Sequence, residues 1–220
     1  MLPSSHCASC GHPLSWFENI PLLSFIFLRG RCRHCSKPIS WQYPLVEAST
    51  GILFAVWVFR FPQWNGTSLL SGMIFLSFLV LLTTADLKWF LLPHSMNNLF
   101  VACGLLSFWA RHGEWGSKSL LDSLLGFAVF GAVFLIVETV WPARLGGGDI
   151  KMSSGLGAWL GLERGFEALT LAYGLGALLG ITGMLLGRTR LKSKIPFGPF
   201  LALGGLATAC IPNGVLGWNW

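Results

Sequence analysis

The sequence predicts an all-α, polytopic membrane protein: about seven transmembrane segments over residues 44–220, behind a small cysteine-rich head at residues 1–43. Three observations predict it. The chain is 53% hydrophobic and only 11% charged, with a mean hydropathy of +0.63, where a soluble domain carries about 25% charged residues. Several apolar runs reach the roughly 20 residues that cross a hydrocarbon core about 30 Å thick. Four of the six cysteines lie in the polar first stretch, ahead of every apolar run.

In order along the chain, the first residues, MLPSSHCASCGHP, lack the basic and then apolar pattern of a cleavable signal peptide, so insertion is expected to use the first internal span. Seven apolar segments follow, at about 45–62, 68–86, 91–110, 119–141, 150–162, 168–187 and 195–214. The fifth is short for an isolated crossing helix and is expected to be tilted or partly re-entrant, shielded by its neighbours. Trp41, Trp64, Trp89, Trp109, Trp115 and Trp141 fall near span ends, as an interfacial aromatic belt requires. Gly176 with Gly180, and Gly183 with Gly187, are small residues four apart that let helices approach closely. No internal repeat is evident.

Orientation follows from the basic residues. With the head inside, Arg29, Arg31, Arg33, Lys37, Lys88, Arg144, Lys151, Arg188, Arg190, Lys192 and Lys194 lie on the inner side, against Arg60, Arg111, Lys118 and Arg164 outside. Eleven against four favours a cytoplasmic head. The same bias explains the net charge of +6. No basic run is long enough to form a nucleic-acid groove, so the expected environment is the lipid bilayer and not nucleic acid.

Cys7-Ala-Ser-Cys10 and Cys32-Arg-His-Cys35 are two CxxC pairs separated by 21 residues. Four thiolates from two such turns suit tetrahedral zinc, with His6, His12 and His34 as alternative ligands. Disulfides would need an oxidising compartment, which a cytosolic head does not meet. A thioredoxin-like pair would need a βαβ setting that is missing. Four protein ligands leave no open position, so the expected metal is a scaffold. Cys103 and Cys210 sit in apolar runs and are expected to be inert.

The chain has three aspartates, Asp86, Asp122 and Asp149. Ionisable groups at a membrane are costly and mark function. Asp86 ends the second span and Asp149 opens the fifth segment, both on the inner side. Asp122 opens the fourth span on the other side, where it reads as an acidic residue in a helix's first turn. Two carboxylates at one depth share a proton when held together; one can activate water while the other donates to a carbonyl. Ordinary loop aspartates are the alternative. Gly146, Gly147 and Gly148 permit unusual backbone angles and close approach of a substrate strand. Lys151 either tunes the local field or snorkels to the surface.

These residues carry a resemblance. LGGGDIKM resembles the GxGD signature of intramembrane aspartic peptidases, and Asp86 followed five residues later by Leu92-Pro93 resembles the other aspartate motif of type IV prepilin peptidases. SWFENIPLLSFIFLRGRCRHCSKPIS, YPLVE and IPFGPFLALGG resemble bacterial members of that family, in its order. The resemblance implies a bifunctional enzyme that cuts the leader from type IV prepilins or type II secretion pseudopilins. It then N-methylates the new N-terminus with S-adenosylmethionine. It implies Asp86 and Asp149 as the catalytic dyad, and Cys7, Cys10, Cys32 and Cys35 as zinc ligands.

Bacterial members usually carry a further apolar span before the cysteines. The expectation here is a misplaced start or a variant without that helix. His94 stands where the family often has Asp or Asn, and reads as a tolerated surface substitution. Glu47 in YPLVE is a candidate for support around either site, or an inward-facing helix residue paired with a base. Other readings stay open: a peptidase without methylation, or a non-catalytic assembly factor of a pilus or secretion system. A transporter would need midplane carboxylates and repeated halves.

Overall fold

The computed structural model describes residues 5–111, 114–141, 146–187 and 196–211. It divides into two compact units, Met1–Ala55 and Val56–Trp220. The basic loop residues Arg144, Arg188, Arg190, Lys192 and Lys194 lie outside the described residues, as do the ends of the seventh apolar segment.

The first unit is built on two turns of one design. Cys7 N–H donates to the His12 carbonyl at 2.9 Å and Gly11 N–H to Cys7 O at 2.8 Å; Cys32 N–H donates to Lys37 O and Ser36 N–H to Cys32 O, both at 2.9 Å. Gly11 and Ser36 take positive φ, 70° and 57°, at matching positions. Leu14 N–H to Ser5 O and Ile39 N–H to Gly30 O, both 2.7 Å, close the two turns alike. The head therefore contains a short repeat, CASCGHPLSW and CRHCSKPISW, which corrects the expectation that there is none. Between the turns lie a single 3-10 turn, Trp16–Asn19, and α1, Leu23–Phe27. Helix α2, Gln42–Arg60, starts in this unit and ends in the second.

The regular secondary structure among the described residues of the second unit is all helix. Helix α3, Gly66–Trp89, starts where Asn65 Oδ1 accepts the Ser68 N–H at 3.0 Å. Helix α4, His94–Leu106, follows Pro93, whose fixed φ suits the start of a helix. Helix α5, Phe108–Arg111, is one turn. Helix α6, Leu120–Val140, is capped by Ser119 Oγ on the Asp122 N–H at 3.0 Å. Helix α7, Gly147–Leu185, and α8, Gly198–Cys210, complete it. Every predicted apolar segment thus carries helix. Helices α3, α6 and α7 are long and apolar enough to cross a bilayer; α8 is apolar but shorter. Leu121, Leu135, Ile136 and Val140 of α6 face outward, an exterior suited to lipid rather than water.

The fifth and sixth segments were expected as separate elements, and α7 is two helices that meet at a break at one residue, next to the expected end of the fifth segment at 162. Gly161 has φ 81° and ψ −173°, outside the helical region. Asp122 spans the break: Oδ1 accepts the N–H of Leu162 at 2.9 Å and Oδ2 that of Lys118 at 3.0 Å. A Cβ on Gly161 would collide with the Asp122 carboxylate. Asp122 does lie in the first turn of α6, but it also caps the resumed helix forty residues later.

Two packing expectations change. The tight helix approaches are at Gly126 of α6, whose Cβ position lies against the Gly157 carbonyl of α7 at 2.5 Å, and at Gly204 of α8, against Ala168 O. Gly180 and Gly187 meet nothing, while Gly176 meets Phe197. Of the predicted belt, Trp41, Trp89, Trp109 and Trp141 are exposed, but Trp115 is 2% exposed. Its ring packs on Trp57, Phe75 and Trp159, and its Nε1 donates to Ser71 Oγ at 3.1 Å. Trp64 stacks on Phe61 at 3.9 Å. Aromatic pairs add about 0.5–1.5 kcal/mol each beyond burial, so this cluster holds α3, α4 and the first half of α7 as one block.

Candidate active site and metal centre

Asp86 stands one turn from the end of α3, and its side chain is buried. The helix stops because Phe90 takes a left-handed conformation, φ 50°, and gives its N–H to Asp86 O at 2.8 Å. The chain then turns into Leu92-Pro93. At Asp86 the carboxylate accepts the N–H of Gly198 at 2.7 Å. A Cβ on Gly198 would sit 2.9 Å from Asp86 Oδ2, so the first residue of α8 must be glycine for its amide to come this close.

Asp149 is in the first turn of α7, half-buried, with its N–H on the Gly146 carbonyl at 2.9 Å. The two carboxylates, 63 positions apart in sequence, act on each other electrostatically. The three glycines before Asp149 are not equivalent. A Cβ on Gly148 would lie 2.6 Å from Leu92 Cβ, and one on Gly146 would lie 3.0 Å from Asp149 Oδ2, while Gly147 meets nothing. The spacing glycine–any–glycine–aspartate is therefore a packing requirement at its first and third positions. Asn97 of α4, fully buried, clamps the same turn by donating from Nδ2 to Gly148 O at 3.1 Å. Lys151 donates from Nζ to Asn98 Oδ1 at 3.2 Å, so it ties α7 to α4. His94 is exposed.

In the head, the Sγ atoms of Cys7, Cys10, Cys32 and Cys35 lie within 4.8 Å of one another, with Cys7 and Cys35 at 4.0 Å. A tetrahedron of thiolates at about 2.3 Å from zinc has edges near 4 Å, so the donor set fits that ion. The backbone N–H groups of Ser9 and then Cys10 point at the Cys7 thiol and hold it down, to about 6. A thiolate is the form that binds metal. The rings of His12 and His34 stack on each other at 4.4 Å. All four cysteines are free of disulfides. Glu47, of α2, accepts the N–H of Leu22 on Oε2 at 2.8 Å, where Leu22 has φ 61°.

Two family models match this arrangement, the bacterial peptidase A24 N-terminal domain over residues 1–61 and the type IV leader peptidase family over 73–181. A prepilin leader peptidase/N-methyltransferase of Aeromonas hydrophila is 39% identical over 227 residues, covering 99% of this chain and 75% of the relative. The chain belongs to the prepilin leader peptidase/N-methyltransferase family. Further relatives of that name include one from Burkholderia pseudomallei (strain 1026b), 36% identical over 94% of this chain and 67% of its own length, and one from Xanthomonas campestris pv. campestris, 38% identical over 91% and 70%. No solved structure matches.

Set beside the family, the sequence-derived residues fall into two groups. Asp86, Asp149, Gly146 and Gly148 come together in the second unit, and the four cysteines come together in the first. Gly147 and Lys151 adjoin the aspartates without bonding to them. Sequence reasoning missed Gly198, Asn97 and the bond that Asp122 makes to Leu162. For Gly198 the signal was the IPFGPF stretch itself, since a glycine that opens an apolar helix invites a close backbone contact.

Proposed function

We propose that this prepilin leader peptidase/N-methyltransferase family member cleaves the leader from type IV prepilins or type II secretion pseudopilins and methylates the new N-terminus. Asp86 and Asp149 are its peptidase dyad. The observation that carries the reading is their convergence from two distant helices, with Asp86 fixed by Gly198 and Asp149 fixed through Gly148 against Leu92. One carboxylate, ionised, takes a proton from water as the water oxygen bonds to the scissile carbonyl carbon. The other, protonated, donates to the carbonyl oxygen; the amine then leaves with a proton as the C–N bond breaks.

The head at residues 1–43 and both aspartates face the cytoplasm, with about seven crossings of a bacterial inner membrane. The asymmetry of basic residues and the three long apolar helices support this placement. The four cysteines hold structural zinc, as the tetrahedral spacing of their sulfurs supports. S-Adenosylmethionine supplies an electrophilic methyl group. A cavity of about 500 Å³ in the head, lined by Glu18, Asn19, Phe25, Tyr43 and Glu47, has the size and mixed lining for it. Its carboxylates suit ribose hydroxyls and its rings an adenine. Cleavage and methylation of a prepilin by the purified chain test the reading, with Asp86→Ala and Asp149→Ala expected to abolish cleavage and Glu47→Gln expected to lower methylation alone.

A further inference from the structure

Two hydroxyls near Asp149 face each other and have no further hydrogen-bond partner among the described residues. Ser153 Oγ is fully buried, and Tyr173 Oη is enclosed although its ring is half-buried. Buried polar atoms are nearly always paired, and an unpaired one costs about 1–3 kcal/mol. A pair that meets only itself keeps donor and acceptor capacity unused, as a site that receives a ligand group does. Ser153 lies one turn after Asp149 on the same face of α7. Tyr173, in the second half of α7, lies within hydrogen-bond reach of Ser153 and feels the charge of Asp149.

The ring of Tyr173 is held in place. It stacks on Phe134 of α6 with centroids 5.4 Å apart and lies against Phe197 at 4.6 Å. Phe197 precedes Gly198, whose amide holds Asp86. The phenol is thus held between α6 and the residue next to the Gly198 amide that bonds Asp86. Soluble peptidases often stabilise a developing oxyanion with backbone amides. Here the Gly198 amide is committed to Asp86, and those of Asp149 and Ile150 to the Gly146 carbonyl. A side-chain donor can act beside the protonated carboxylate, and a phenol supplies one without a charge to desolvate.

We propose that Tyr173 is a catalytic residue of leader cleavage: its Oη donates a hydrogen bond to the scissile carbonyl oxygen, and Ser153 positions it. This rests on the assignment of Asp86 and Asp149 as the dyad. As water adds to the carbonyl carbon, the π pair moves onto that oxygen. Tyr173 keeps its proton and shares it, while the aspartates carry the proton transfers already described. With substrate bound, Tyr173 Oη donates to the carbonyl oxygen and accepts from Ser153 Oγ behind it.

The test uses full-length enzyme in membranes, a prepilin for cleavage, and a separately prepared mature pilin for methylation. Asp149→Asn serves as the control for the dyad. Tyr173→Phe is expected to lower kcat for cleavage by about 10²-fold, the usual loss of one oxyanion donor, with KM little changed. Its methylation of mature pilin and its thermal stability should stay close to the parent's, because the hydroxyl that the change deletes meets only Ser153. Ser153→Ala should lower kcat by a smaller factor. Parental kcat in Tyr173→Phe, with Asp149→Asn inactive, overturns the proposal and leaves the dyad standing. Loss of cleavage, methylation and stability together in Tyr173→Phe also overturns it, as a structural role. Parental cleavage in Asp149→Asn overturns the dyad itself.

Discussion

Replacing Gly148 by alanine tests how closely the fold sets the position of Asp149. The added Cβ would stand 2.6 Å from Leu92 Cβ and 3.2 Å from Leu92 O. Ordinary contact begins near 3.4 Å, so the first turn of α7 and the Leu92-Pro93 segment must part by about 0.8 Å. Leu92 is buried, Pro93 fixes the backbone beside it, and Asn97 bonds the Gly148 carbonyl from below. Little can give except the turn that carries Asp149. Overpacking of this kind costs about 1–3 kcal/mol. A displacement near 1 Å at a reacting group costs about 10²-fold in rate. Gly148→Ala is therefore expected to cut prepilin cleavage about 100-fold while methylation of mature pilin, which we propose takes place in the other unit, persists. Gly147→Ala meets nothing within 4 Å and should stay within about twofold of the parent, as surface changes do. The assay is the initial rate of leader release at matched amounts of folded enzyme. Equal activity of the two variants would refute the packing account of the signature.

Other changes test separate links. Asn97→Ala removes the bond to Gly148 O and should lower cleavage by about fivefold to tenfold, the worth of one hydrogen bond; an unchanged initial rate would show that the turn holds itself. Asp122→Ala uncaps Leu162 at the kink of α7 and should destabilise the protein by about 1 kcal/mol, read as a lowered unfolding midpoint. Cys32→Ser, or a strong chelator, should loosen the head and lower its resistance to proteolysis before it alters chemistry in folded molecules. Equal stability of metal-free and metal-loaded protein would contradict a structural zinc.

The parts of this molecule that the sequence revealed are those where a residue type is out of place. Asp86 and Asp149 stand out because carboxylates are costly beside hydrocarbon, and the cysteines stand out by spacing. Gly198 escaped because its role belongs to a backbone amide, which no side chain announces. Asp122 was read as a first-turn acid, which it is, but its bond to Leu162 depends on the packing of α6 on α7. Trp115 sat near a predicted span end, and only the convergence of α2, α3 and α7 puts it inside an aromatic core. The repeat in the head was hidden by the 21 residues between the CxxC pairs, and matching backbone hydrogen bonds revealed it. The break in α7 was legible, since the fifth segment was read as ending at 162, beside Gly161.

The most direct measurement is mass spectrometry of a prepilin incubated with membranes containing this chain and S-adenosylmethionine, beside an Asp149→Ala control. The account predicts a product that has lost its leader and gained one methyl group, with intact prepilin in the control. Uncut prepilin with the folded parent, or equal cleavage by Asp149→Ala, would contradict it.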